Sequence, residues 1–220
     1  MKWQEADISS IVFDLDGTLY VSEPFNDTVD AAAAAYVAEL RSTDRSTAIE
    51  LIRQTRLELQ RKHGTIQTLT VVCETLGGNI RGLHKALASE LKPEKFLAPD
   101  QRVLNLLDEL AGRFQLFLLT NNNRPMTEKI LSLTNIKPTL FETIITIEDS
   151  WTPKPNQVLL DRVLGMVAQP PQKVLFVGDR YDIDLRLPAE AGCPVHLCTT
   201  LDQLLELKAL FTSSRPSTQL

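Results

Sequence analysis

Residues 11–20 read Ile11-Val12-Phe13-Asp14-Leu15-Asp16-Gly17-Thr18-Leu19-Tyr20. Three apolar residues run into two aspartates at i and i+2, and a glycine follows. Such a run predicts a short strand buried on both faces, the kind found inside a parallel sheet. Two acids spaced by two at a strand end point the same way, so both can face one substrate. Gly17 permits a tight turn, and the N–H groups after it can hydrogen-bond an anion. A calcium-type loop would need further oxygens at alternate positions and a glutamate at its twelfth. Tyr20, Ser22 and Glu23 do not supply that spacing.

The same grammar recurs downstream. Leu116 to Leu119 ends at Thr120-Asn121, Ile144 to Ile147 ends at Glu148-Asp149, and Val174 to Val177 ends at Gly178-Asp179. A fifth run, Val195 to Cys198, follows Pro194. Helical spacing fills the gaps: Val103, Leu106, Leu107 and Leu110 within residues 100–111, a similar pattern over 126–134, and Val158, Leu159, Arg162 and Val163 within 155–167. This alternation predicts βαβ units wound right-handedly into an α/β fold with an open parallel sheet.

Residues 21–94 break the pattern. They read as four helices without a strand, over residues 28–40 (with alanine at every position from Ala31 to Ala35), 46–62, 66–76 and 81–91. An all-α unit of residues 21–94 is therefore expected between the first strand and a core made of residues 1–20 plus 95–220. Its expected hinges lie near Ser22-Glu23-Pro24 and over Pro93 to Pro99. The polar tail of residues 212–220 is expected to fray.

Composition narrows the class. A chain of 220 residues with 43% hydrophobic and 23% charged residues is no low-complexity polymer. At this length about 70% of the unfolded surface is buried, enough for a substantial core. A net charge of −5 argues against nucleic acid as a partner, which would call for a basic face. Cys73, Cys193 and Cys198 are odd in number and form no C-x-x-C pair, which suits reduced thiols. No apolar stretch approaches the roughly 18 residues of a membrane span, and Glu5 and Asp7 stand where a signal peptide would be apolar. A cytoplasmic globule is the expectation. His84 and His196 lack metal-ligand spacing and read as a helix-surface residue and a strand residue.

In open parallel sheets ligands bind at the carboxyl ends of the strands. There fall Asp14 and Asp16, then Thr120-Asn121, then Asp179 with Asp182 and Asp184, while Lys154, between Pro153 and Pro155, follows the third strand. So many carboxylates close together repel one another unless a cation holds them. Their all-oxygen character selects a hard ion, Mg²⁺ first.

At these residues the sequence resembles the haloacid dehalogenase-like (HAD) superfamily, in its phosphatase branch. Asp14-Leu15-Asp16-Gly17-Thr18 matches the first motif, D-x-D-G-T, in full. Thr120 at the end of an apolar strand matches the second, and Lys154-Pro155 the third. Gly178-Asp179 with Asp184, ending in Ala189-Glu190-Ala191-Gly192, matches the fourth, although Pro188 and Glu190 vary its usual lead into the glycine. The resemblance implies a Rossmann-like core with a C1-type helical cap after the first strand. It further implies an Mg²⁺-dependent phosphomonoester hydrolase acting on a small phosphorylated metabolite through an aspartyl-phosphate. Asp14 would be the nucleophile and Asp16 the general acid and then base. Asp14, the backbone carbonyl of Asp16, and Asp179 would hold the metal, with Asp184 behind them through metal-bound waters. Thr120, the Asn121 N–H and Lys154 would hold the phosphoryl oxygens.

Some positions stay open. Asp182 competes with Asp184. Asn122 divides between substrate contact and capping, Asn123 reads as a helix cap before Pro125, and Arg180 as the partner of a neighbouring acid. Polar cap loops carrying Arg41, Arg45, Lys62, His63 and Asn79 are candidates for substrate contact. His63-Gly64-Thr65 and Leu19-Tyr20 echo pyrimidine-5′-nucleotidase-like members. Rival readings are a phosphomutase, a 2-haloacid dehalogenase (which lacks the second aspartate of the first motif), a receiver-type signalling module (whose motif order differs), and a non-catalytic scaffold or regulator.

Overall fold

The structure, a computed structural model, describes residues 8–212. Five strands, β1 (Ser10–Phe13), β2 (Gln115–Leu119), β3 (Phe141–Ile145), β4 (Val174–Gly178) and β5 (Val195–Leu197), form one parallel sheet in the order β3-β2-β1-β4-β5. The first strand of the chain is thus the middle of the sheet. Ile11, Phe13, Leu116, Leu118, Leu175 and Val177 join the apolar cluster on one face. Their alternates Val12, Phe117, Leu119, Val174 and Phe176 join the cluster on the other. Strand residues alternate sides, so a strand covered on both faces is apolar throughout.

The edges depart from that expectation. All three residues of β5 lie outside the buried class, and β3 exposes Glu142. Each has only one neighbouring strand, and apolar runs alone do not reveal strand order. β3 also starts and ends earlier than the run at 144–147, because Thr146 and Asp149 form a capping box that turns Ile147–Asp149 into a helical turn.

Four helices, α1 (Glu23–Arg41), α2 (Arg45–His63), α3 (Leu69–Thr75) and α4 (Ile80–Glu90), lie between β1 and β2 with no strand among them. The side chains of Ser22, Asp44, Thr68 and Asn79 accept hydrogen bonds from the first turns and set where each begins. α1 therefore starts ahead of the alanine run, with Pro24 in its first turn. Ala32, Ala33, Ala34 and Val37 are buried where α1 packs on α2 and α4, small side chains allowing close approach. The apolar cluster runs on without a break from the sheet into Phe25, Ala33, Val72 and Leu83 of these helices.

Then follow α5 (Gln101–Ala111), α6 (Arg124–Leu133), α7 (Gln157–Val167), the short α8 (Arg186–Glu190) and α9 (Leu201–Thr212). α5 buries the four residues its spacing marks out, Val103, Leu106, Leu107 and Leu110, worth about 1.5–3 kcal/mol each. In α7 the stripe is displaced: Val158 is 76% exposed, while Leu159, Leu160, Val163 and Val167 face the sheet. In α2, Ile49 is exposed and Ala48, Ile52, Thr55 and Leu59 are buried.

His84 corrects the surface reading given to it. It is 6% exposed on α4, its ring edge-on to Trp151 at 6.4 Å, and its carbonyl accepts from Asn123 Nδ2 at 3.2 Å. Arg81, one turn earlier, lies over the Trp151 ring at 4.6 Å. α4 is thereby seated on the loop that leads to Lys154. His196 lies in β5 as read. Cys73, Cys193 and Cys198 are buried free thiols, which burial pushes up to about 12, 11 and 12 respectively. Among the described residues no helix is long and apolar enough to cross a membrane. The frayed tail expected over residues 212–220 falls, beyond Thr212, outside the described residues, as do Glu5 and Asp7.

Candidate active site

β1 pairs with β2 and β4 so that Phe13 lies beside both Leu118 and Val177. The residues just past these ends must then meet: Asp14 after β1, Thr120 after β2 and Asp179 after β4. Asp14 N donates to the Val177 carbonyl at 2.9 Å, which fixes the exit from β1. Into this corner comes Lys154. Its Nζ lies 2.6 Å from Asp14 Oδ1 and 2.7 Å from Asp184 Oδ1, and donates to the Leu119 carbonyl at 2.8 Å. All three side chains are buried, and charges taken from water persist only when paired and hydrogen-bonded. Asn121 braces the lysine backbone, Oδ1 accepting from Lys154 N at 2.8 Å and Nδ2 donating to Lys154 O at 3.2 Å. Thr18 Oγ1 donates to Asp14 Oδ2 at 3.0 Å.

Two glycines make room for the acids. Gly17 has φ +80°, and a Cβ there would collide with Asp179 Oδ2. At Gly178 a Cβ would stand 2.5 Å from Asp184 Cβ. Asp184 is carried on a π-helical turn, Tyr181–Leu185, and accepts from Arg180 N at 3.1 Å. That turn buries Asp184 towards the lysine and leaves Asp182 half-exposed. Asp14, Asp179 and Asp184 each bring an oxygen within 4.8 Å of the others.

Asp16 is held apart from this trio, on the β2 side. Thr120 Oγ1 donates to its Oδ2 at 3.3 Å, and Asn122 Nδ2 donates to Oδ1 at 2.8 Å and to Oδ2 at 2.7 Å. The Tyr20 hydroxyl also donates to Oδ1. Asn122 thus faces the site, whereas Asn123 caps α6 by accepting from Met126 N at 2.9 Å. Arg180 pairs with the acids beside it, 3.5 Å from Asp179 and 3.9 Å from Asp184.

Residues 8–192 match the profile of the haloacid dehalogenase-like hydrolase family. The chain belongs to this family. The phosphoglycolate phosphatase of Shigella boydii is 29% identical, over 86% of this chain and 80% of that protein. Pyrophosphatase PpaX of Bacillus velezensis is 27% identical, over 79% of this chain and 76% of its own length. Among solved structures, a HAD phosphatase from Thermococcus onnurineus superposes with a TM-score of 0.63 at 16% identity, over 95% of this chain and all of the other, a likeness of fold.

The charges of this HAD-like hydrolase site are out of balance. Four carboxyls, Asp14, Asp16, Asp179 and Asp184, face two cations, Lys154 and Arg180. Burial, then the neighbouring acids, push Asp14 up to about 7 against the pull of Lys154. Burial and Asp184 likewise push Asp179 up to about 6, with Arg180 opposing. Burial also acts on Asp184, but Lys154 and Arg180 outweigh it and hold that carboxyl below its ordinary value. Lys154 is driven down by burial and up by Asp14 and Asp184, and the acids win. Asp179 Oδ1 is buried with no hydrogen-bond partner. A buried carboxylate oxygen with no hydrogen bond and only the looser pairing to Arg180 at 3.5 Å, beside two more acids, fits one divalent cation.

Asp14, Asp179 and Asp184 come together with Lys154, while Thr120 at the end of β2 turns to Asp16 beside them. Sequence reasoning missed the contacts of Thr18 on Asp14 and Tyr20 on Asp16. Both pairs are four residues apart across the turn after β1, where Gly17 has φ +80° and Leu19 N donates to Leu15 O at 3.0 Å. The glycine that permits so tight a turn was the available signal.

Proposed function

We propose that this hydrolase is a phosphomonoesterase for a small phosphorylated metabolite, working through an aspartyl-phosphate on Asp14. The observation that carries the proposal is the buried Asp14 carboxylate, oriented by Lys154 at 2.6 Å and Thr18 at 3.0 Å, with a second carboxylate, Asp16, tied to Thr120 beside it. An Asp14 oxygen attacks phosphorus, and the bond from phosphorus to the substrate oxygen breaks as Asp16 gives that oxygen its proton. Water then attacks the acyl phosphate while Asp16 takes a proton from it, freeing phosphate and restoring Asp14. Lys154 offsets the charge of Asp14, so that a carboxylate can approach a phosphate dianion. Lys154 and Thr120 would also donate to phosphoryl oxygens, with the backbone of Asn121 as a third candidate.

Asp14, Asp179 and the Asp16 carbonyl would hold the divalent cation, Mg²⁺ by the hardness of the donors, with Asp184 behind them; once bound it would neutralise charge on the phosphoryl group. The helices of residues 21–94 would act as a cap that excludes water and selects the substrate. Relatives named for phosphoglycolate and for pyrophosphate support a small, highly charged substrate. The second aspartate, Asp16, favours phosphate transfer over dehalogenation, for which only one acid is needed.

The test is phosphate release from a panel of phosphoglycolate, pyrophosphate, sugar phosphates and nucleoside monophosphates, with Mg²⁺ and with EDTA. Wild type should turn over at least one with Mg²⁺, and Asp14→Asn none. Activity persisting in a clean Asp14→Asn preparation would remove the nucleophile.

A further inference from the structure

Asp16 handles a proton in both halves of the proposed reaction, so the direction of its carboxylate bears on the rate. Its two oxygens are both engaged, by donors from two segments of the chain. Thr120 and Asn122 reach them from the end of β2, Asn122 Nδ2 bridging both at 2.8 and 2.7 Å. From the other segment the Tyr20 hydroxyl meets Oδ1, and Asp16 and Tyr20 are joined by an isolated backbone bridge as well. A carboxyl held at both oxygens has little freedom to turn.

The ring that carries the Tyr20 hydroxyl is itself immobilised. Tyr20 is 6% exposed, and its centroid lies 6.3 Å from that of Phe25, which lies 6.1 Å from that of Phe96. Tyr20 and Phe25 stand where the chain leaves the sheet for α1, and Phe96 where it returns ahead of α5. Three aromatic rings thus stand in series across the two crossings between sheet and helical insertion, and the first of them, Tyr20, reaches Asp16.

We infer that Tyr20 and Asn122 are positioning residues that aim the Asp16 carboxyl at the leaving-group oxygen, neither of them touching phosphorus. This inference rests on the acid–base role given to Asp16 above. Aim matters in proportion to the need for a proton. An alkyl alcohol leaves poorly without one, whereas p-nitrophenolate leaves well unaided. Loss of aim should therefore fall on alkyl phosphates and largely spare aryl ones.

The experiment compares kcat/KM, which reports steps up to phosphoryl transfer, for the best alkyl phosphate of the panel and for p-nitrophenyl phosphate. Wild type, Tyr20→Phe, Asn122→Ala and Asp16→Asn are measured with Mg²⁺. Tyr20→Phe keeps the ring and its packing, so its Tm should stay near wild type while the alkyl-to-aryl ratio falls about tenfold, a modest share of the 10²–10⁴-fold that a positioned general acid contributes. Asn122→Ala should move the ratio the same way, chiefly through kcat. Asp16→Asn should lower it furthest. Equal losses on both substrates in Tyr20→Phe, or an unchanged ratio, with Asp16→Asn still selective, would overturn the positioning role. An unchanged ratio in Asp16→Asn would instead remove the acid–base role on which it rests.

Discussion

Lys154 Nζ lies 2.6 Å from Asp14 Oδ1, a contact between residues 140 positions apart, with both side chains almost wholly shielded from solvent. The same ammonium serves Asp184 at 2.7 Å. Removing one partner of a buried pair leaves the other charge stranded, at about 3–5 kcal/mol. Lys154→Met, similar in length, should therefore lower Tm sharply in EDTA and less so in Mg²⁺, which takes over part of the acids' charge. Its turnover should fall about 10²–10³-fold, as when one transition-state donor is lost. Thermal melts with and without Mg²⁺ check the first part; an equal loss in both buffers would deny that lysine and cation share the same acids.

Asp179 supplies a buried oxygen with no hydrogen bond and only a 3.5 Å pairing to Arg180, so a cation should be felt strongly there. Mg²⁺ at a hundredfold excess over its Kd should stabilise wild type by about 2.7 kcal/mol. In Asp179→Asn the shift should vanish, while Tm in EDTA holds or rises because one repelling charge has gone. A calorimetric titration gives the same comparison without heating.

Gly17 and Gly64 both have positive φ, +80° and +73°, but differ in surroundings. Alanine at either incurs the left-handed penalty of about 1–2 kcal/mol. At Gly64 no atom lies within 4 Å of the added methyl, so Gly64→Ala should cost stability alone. At Gly17 the methyl meets Asp179, so Gly17→Ala should also lose turnover and Mg²⁺ response. Parallel assays of the two variants separate backbone strain from displacement of the acid.

His84 has its value lowered from 6.5 to about 4 by burial, with the charge of Glu148 pulling the other way. The folded state thus refuses a proton that the unfolded chain accepts, and stability from this group is lost as pH falls from about 6.5 to about 4. The full loss is on the order of 3 kcal/mol. Asp14 and Asp179 are shifted upward and act in the opposite sense over part of this range. The informative quantity is hence a difference: His84→Leu should gain on wild type between urea midpoints at pH 7 and pH 4.5. Parallel curves at the two pH values would count against a buried neutral imidazole.

How much could be read beforehand follows from what each feature depends on. Asp14, Thr120 and Asp179 sit at strand ends, and apolar runs locate strand ends well; parallel register then brings them together. The four helices after β1 were legible from their spacing and from the lack of any strand-like run. The exposed faces of β3 and β5 were not, since edge position is a property of sheet order. The burial of His84 depends on Trp151, 67 positions away, whose packing leaves no period in the sequence. The grip of Tyr20 and Asn122 on Asp16 depends on rotamers within a turn, which spacing permits but does not dictate.

Because β1 is the central strand, the order of assembly cannot follow the order of synthesis. Residues 10–13 leave the ribosome ahead of both neighbouring strands, and one flank waits for residue 115 and the other for residue 174. Until then the nascent chain displays an apolar ribbon with unpaired edges, an aggregation hazard for a partly made protein. The acids of the first turn likewise have no lysine until residue 154 has emerged. No fragment ending short of residue 184 can gather the charges, so catalytic competence should arrive in a single step, once residues 154, 179 and 184 have all emerged.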